Sequence, residues 1–241
     1  MTSAGAPGEI TRAAYDEAFP RVTDAATLYL WRQPAFRLVQ WATAVRLPGI
    51  AAIVAEALLA ALVFALFWRG HLWAGLAVSV LVMGMSVVSL MLSRLTHVAA
   101  ATNRLRVAVD IVYPLAWWWA WEHALAAQGR PLEPIYATML LWVVIGGTIA
   151  IRVVEGLALH RFNGMQLHAW RPLDTRFRLV SAGRNINIAI LAISLLVGRP
   201  DSGFVAVAWW TLISLIFHAV RLAQLTEEQA RRVKISSWLD Q

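Results

Sequence analysis

Twenty-one consecutive residues, Leu72 to Leu92, carry no formal charge, and this run decides which solvent the chain is built for. A helix that crosses the hydrocarbon core of a bilayer needs about 20 mainly apolar residues. Five further stretches follow the pattern. They are Gly49 to Trp68, interrupted only by Glu56; Val107 to Trp121, with Asp110 and the cluster Trp117, Trp118, Trp119 and Trp121; Pro134 to Ile151; a shorter run from Ile186 to Gly198; and Gly203 to Val220. Of the 241 residues, 59% are hydrophobic and 15% charged, against about 45–50% and about 25% in soluble domains. One soluble core of this size does not hide such a surplus, and disordered chains are poor in apolar residues. The expected fold class is an all-α membrane protein with six transmembrane helices.

Charge placement gives the orientation. With both termini cytoplasmic, the outer loops hold only Arg69, Arg130 and Arg199, and the other 18 basic residues fall inside, a strong positive-inside bias. Because the arginines lie between apolar runs and form no basic stripe, the formal charge of +7 does not imply nucleic acid. Residues 1–30 hold Glu9, Arg12, Asp16, Glu17, Arg21 and Asp24 and no apolar run of the secretory-signal type. The expected location is a bacterial inner membrane. With no cysteine, disulfides, thiolate metal sites and cysteine nucleophiles are excluded. Tryptophans near the span ends (Trp68, Trp73 and the 117–121 cluster) fit an interfacial belt.

Ahead of the first span, Ala25 to Arg46 reads as an amphipathic juxtamembrane helix. Leu28, Trp31, Phe36, Val39 and Trp41 alternate with Arg32, Arg37 and Arg46. Two readings stay open: a helix lying in the cytoplasmic interface among anionic headgroups, or one packed on the protein. With no internal repeat or linker, the expected organisation is a single membrane domain over residues 25–225. Short cytoplasmic tails, 1–24 and 226–241, flank it.

Local phrases then point to a family. They are Thr23-Asp24-Ala25 before Trp31-Arg32-Gln33-Pro34, Arg69-Gly70-His71 after the first span, and Asp110-Ile111-Val112-Tyr113-Pro114 before the tryptophans. Arg152 to Gly156 and the loop His168-Ala169-Trp170-Arg171-Pro172-Leu173-Asp174 follow. Together with six spans and a preceding helix, these make the chain resemble the CDP-alcohol phosphatidyltransferases over nearly its whole length. That family's signature is D-x-x-D-G-x-x-A-R, a gap of seven to nine residues, then G-x-x-x-D-x-x-x-D. Its four carboxylates hold divalent ions on the pyrophosphate of a CDP-linked lipid, where positioning and charge neutralisation carry phosphoryl transfer.

Registered on Arg94 and Asp110, the chain matches the signature in spacing but not in chemistry. Ser86 and Ser89 stand for the first two aspartates, Leu90 for the glycine and Ser93 for the alanine. Arg94 is kept, Thr102 replaces the second glycine, Arg106 the third aspartate, and Asp110 is the fourth. The family's P-N-x-x-T segment appears as Pro48-Gly49-Ile50-Ala51-Ala52, with only the proline retained. Magnesium prefers hard, usually anionic oxygen ligands; two hydroxyls, one aspartate and a repelling arginine are a poor set. Arg106 and Asp110, i and i+4 on one helix, are expected to pair, the other reading being that Arg106 marks the cytoplasmic end of its span. Asp110 is the one candidate catalytic base, in vestigial form.

The resemblance thus implies a non-catalytic paralogue, a pseudoenzyme of phospholipid biosynthesis without a metal cofactor. It would act as partner or regulator of an active enzyme, in a homodimer or a heterodimer with an active paralogue, or as a binder of anionic lipid headgroups. The alternative is an active transferase of phospholipid headgroups with a rebuilt site using Asp110, Glu56 and loop arginines, and with Mg or Mn as cofactor. Candidate phosphate or lipid ligands are Arg94, Arg152, Arg171, Arg176, Arg178 and Arg184, since the guanidinium fork suits phosphate; positive-inside retention explains them equally. His160 and His168 are eight apart with no third ligand evident, so no metal site is expected.

Overall fold

The computed structural model describes residues 10–96, 99–232 and 235–240; the rest of the expected tails lies outside the described residues. Among the described residues every regular element is helical. The helices are α1 Arg12–Ala18, α2 Arg32–Ala44, α3 Gly49–Trp68, α4 Leu72–Leu95, α5 Ala100–Ala127, α6 Pro134–Arg161, α7 Pro172–Val180, α8 Arg184–Leu196 and α9 Pro200–Ala230. A π-helical turn, Ala26–Trp31, leads into α2, and short 3-10 turns lie at Leu167–Ala169 and Trp238–Asp240. Proline opens α6, α7 and α9, where its missing N–H costs nothing and its fixed φ suits a helix start. The α3–α4 turn closes on Gly70, and α5 ends at Gly129, both at positive φ, which glycine adopts without a steric penalty.

Four helices, α3, α4, α6 and α9, are long and apolar enough to cross a membrane. A fifth candidate is the pair α7 and α8, bent by 46° at a short break. The described chain therefore offers four to five apolar spans where the sequence suggests six. The difference lies in α5, which has the length but carries Arg104, Arg106, Asp110 and Glu122.

The chain divides into two compact units. The first comprises residues 1–21 and 25–120, the second residues 22–24 and 121–241. In the first, α3 and α4 form a close antiparallel pair, with Phe67 fully buried over Gly75. The π turn and α2 lie on α4. Tyr15, Phe19, Val39, Val88, Met91 and Leu92 form the shared core, joined by partly buried Leu28, Trp31 and Phe36. Tyr29, Leu30, Leu38, Trp41 and Val45 remain exposed on this segment. One side of this segment packs on the protein, and another presents apolar side chains outward. Arg46, at positive φ, lies just beyond the helix.

The tryptophan belt needs correcting. Trp68, Trp73 and Trp119 are at least partly exposed, but Trp117, Trp118 and Trp121 are at most 1% accessible. Trp117 donates its indole N–H to the Ala60 carbonyl at 2.9 Å and packs edge-on against Phe67. These rings are core. A large apolar body with one donor serves a helix contact as readily as a headgroup layer.

In the second unit, α6 and α8 pack on α9 through small residues. A Cβ on Gly147 would meet the Thr211 methyl at 2.7 Å, and Gly203 lies directly under Ser194. Trp121 donates to the Pro200 carbonyl at 3.4 Å. Asn185, at the start of α8, donates to Asp24 at 2.8 Å. Ala158, Phe162, Leu167, Trp170 and Leu225 form a core where the loop after α6 folds back.

Candidate functional site

In the first unit, the α4 residues one turn apart at the signature positions, Ser86 and Ser89, each meet a carboxylate. Ser89 Oγ lies 2.7 Å from Glu56 Oε2 and 3.1 Å from the Ser86 carbonyl. A hydroxyl has one proton, and the shorter contact, to Glu56, takes it. The Tyr113 hydroxyl donates to Glu56 Oε1 at 3.2 Å. Glu56 is 1% accessible, so its carboxylate is held by a serine from α4 and a tyrosine from α5. Ser86 makes a longer contact, 3.5 Å, with Asp110 Oδ1. Pro114 removes the helical N–H that would otherwise serve the Asp110 carbonyl.

The other signature residues do different work. Arg94 donates to the Ala18 carbonyl at 2.6 Å, tying the end of α4 to α1. Thr102 lies half-buried near the start of α5. Arg106 donates Nε–H to Asn103 Oδ1 at 3.3 Å, a neighbour one turn back on the same exposed side of α5.

The second unit gathers a cluster that sequence spacing does not show. Glu155 from α6, His168 from the 3-10 turn and His218 from α9 bring one ligand atom each within 4.8 Å of the others. His168 Nε2 is 3.0 Å from Glu155 Oε1 and 3.1 Å from His218 Nε2, and His218 Nε2 is 3.6 Å from Glu155 Oε1. His218 is fully buried and its Nδ1 faces the Ser214 carbonyl, so Nδ1 carries a proton and Nε2 is the nitrogen turned toward His168 and Glu155. The backbone at His168 is fixed by Thr175, whose hydroxyl donates to its carbonyl at 2.7 Å, and Thr175 in turn accepts from the Trp238 indole at 2.9 Å. Burial pushes the His168 imidazole down to about 4, with Glu155 pulling the other way. His160 is not part of the group.

Most loop arginines expected to contact phosphate are held internally. Arg178 and Arg152 lie 3.5 and 3.3 Å from Glu155. Arg171 pairs with Glu228 at 2.6 Å and lies over the Trp170 ring. Arg184 contacts Asn185 at 3.4 Å, and Arg176 is exposed on α7. Arg221 and Asp174 form a buried pair, 2.6 Å apart; the two atoms are misaligned for a hydrogen bond, so the contact is ionic. A cleft of about 430 Å³ between α6 and α9 is lined by Leu157, His160, Arg161, Leu222 and Thr226.

Against known proteins, no family model matches the chain, and neither does any curated protein.

Proposed function

We propose that this membrane-embedded chain is a non-catalytic relative of the CDP-alcohol phosphatidyltransferases that holds an anionic lipid headgroup and does not transfer one. One observation carries the reading: Ser89, at a metal-ligand position of that family's signature, spends its proton on Glu56 at 2.7 Å. Ser86, Ser89, Arg106 and Asp110 offer one carboxylate, two hydroxyls and a fixed positive charge. That donor set does not fit the family's divalent ions, so no transfer step is derived through them. For the headgroup, the α6–α9 cleft combines the basic Arg161 and His160 with apolar Leu157 and Leu222, which suits a phosphate attached to acyl chains.

A second reading has its own support. Glu56 and Asp110 both reach the Ser86–Ser89 side of α4, so two carboxylates stand near the signature positions, as a rebuilt transferase site would require. The triple variant Ser86→Asp, Ser89→Asp and Arg106→Asp separates the readings. It restores four mutually repelling carboxylates and should be unstable in chelator and rescued by magnesium or manganese, to which the unmodified chain should be indifferent. If millimolar magnesium stabilises the unmodified chain and Asp110→Asn abolishes the effect, the transferase reading wins. Lipid extraction after purification from native membranes should return anionic phospholipid, depleted in Arg161→Ala.

Six spans with both termini cytoplasmic, and association through the spans as a homodimer or with an active paralogue, belong to the same proposal. Because the chain has no cysteine, labelling of introduced thiols has no background. Arg69→Cys and Arg130→Cys should react with impermeant reagents from outside and Gln166→Cys should not. The inverse pattern refutes the orientation.

A further inference from the structure

We infer that Glu155, His168 and His218 form a binding site for one divalent transition-metal ion of the zinc, cobalt or iron(II) class. The site lies in the second unit and does not rest on the lipid-binding reading.

The geometry comes first. A tetrahedral ion with bonds of about 2.0–2.1 Å to imidazole and carboxylate sets its ligand atoms about 3.3 Å apart. An octahedral ion bound on one face sets them about 3.0 Å apart. The three separations here are 3.0, 3.1 and 3.6 Å, so one ion fits equidistant from all three atoms. The two rings meet nearly at right angles, 84°, which lets both Nε2 lone pairs converge without stacking. His218 donates its other nitrogen to the Ser214 carbonyl, the second contact that metal-bound histidines regularly keep.

The ligand atoms also converge: His218 Nε2, His168 Nε2 and Glu155 Oε1 come from three separate elements and lie within 3.6 Å of one another, with both rings buried.

Charge then selects the metal. Arg178 and Arg152 lie within 3.5 Å of the Glu155 carboxylate and cancel the electrostatic pull that magnesium or calcium would need. Imidazole nitrogen favours zinc, iron, cobalt or nickel through its own bond strength, and two histidines with one carboxylate and open positions are an established ligand set for zinc and iron(II). Glu155 is partly exposed and Arg152 half-exposed, so the open position faces an accessible edge. The sequence hides this site because its ligands lie on three elements, 13 and 50 residues apart.

The test uses the full chain, purified in detergent through a tag without histidine and stripped with chelator. Zinc or cobalt alone should bind at one equivalent per chain, and cobalt should give the visible absorption of a low-coordinate site. His168→Ala and His218→Ala should each weaken binding by at least about tenfold, while His71→Ala and His123→Ala should leave it unchanged, as should excess magnesium. Pulsed magnetic resonance on the copper-loaded unmodified chain should count two coordinated imidazoles, which needs no variant to fold. A chain that takes up neither zinc nor cobalt, binding indifferent to both His168 and His218, or a count of fewer than two imidazoles would overturn the inference.

Discussion

Ser89→Ala tests the reading of the signature positions most directly. The change removes one oxygen from a buried position and takes from Glu56 Oε2 its 2.7 Å donor, while the Tyr113 hydroxyl stays 3.2 Å from Oε1. A hydrogen bond between neutral groups contributes about 0.5–1.5 kcal/mol net, and one to a charged group about 1.5–3 kcal/mol. We expect a destabilisation of about 2 kcal/mol, which for a chain of this size is a fall of about 4–8 °C in Tm. Thermal unfolding in detergent measures it, with Glu56→Leu and the double variant completing the cycle. Because the two residues touch, the cycle should return a coupling of about 1.5–3 kcal/mol, unchanged by chelator or magnesium. A coupling below about 0.5 kcal/mol, the level of independent sites, refutes the network. A coupling that vanishes in chelator means that a metal, and not the hydroxyl proton, holds Glu56.

Other expectations follow from single contacts. Arg106→Ala should shift stability by under about 0.5 kcal/mol, since its exposed bond to Asn103 is the kind that contributes little; a large loss would restore a pairing with Asp110. Asp174→Ala or Arg221→Ala should each cost about 3–5 kcal/mol, and the double change should recover much of it, because removing one partner of a buried ion pair strands the other; equal and additive losses would contradict this. Gly84→Ala sets a Cβ 2.7 Å from the Trp31 ring and should cost about 1–3 kcal/mol by overpacking, read as earlier protease cleavage between α2 and α3. Burial pushes Tyr15 up to about 12 while the unfolded side chain ionises near 10. The stability this holds is complete below pH 10 and is lost as pH rises from 10 to 12. Ultraviolet titration against Tyr15→Phe should show one tyrosine ionising late, and its absence from the difference spectrum would place Tyr15 in water.

The helices were legible where the sequence carries a continuous physical signal. Gly49 to Trp68 matches α3 residue for residue, and Leu72 to Leu92 sits within α4, because long, almost wholly apolar runs punctuated by Pro48 and the Gly70 turn have one economical conformation. Pro134 begins α6 as expected, but the helix continues past Ile151 to Arg161: apolar length gives the membrane-sized part of a helix and says nothing of polar turns beyond it. The tryptophans misled for a related reason. Composition identifies Trp117, Trp118 and Trp121 as amphipathic, whereas burial depends on which neighbour stands opposite. Ala60 offers Trp117 a carbonyl acceptor, and nothing local to residues 117–121 records that.

Polar pairing was the least legible layer, and the two clusters show why. Spacing on one helix makes Arg106 and Asp110 neighbours, yet a helix offers Arg106 several partners of comparable reach, and an exposed bond to Asn103 separates them by fractions of a kcal/mol. Partners on different helices are fixed by packing and are far harder to exchange. Glu56 meets Ser89 and Tyr113 across separations of 33 and 57 residues, and Glu155 meets His168 and His218 through a folded-back loop held by Thr175. In each case the apolar frame is set first by burial, and a carboxylate left inside it must find donors or a cation wherever the frame brings them. Glu56 finds two hydroxyls. Glu155 finds two imidazoles and two arginines, and an imidazole, unlike a hydroxyl, can give the same carboxylate a metal in place of a proton. That difference in donor chemistry, more than any difference in charge, makes the His168–His218 side the place to look for a bound ion.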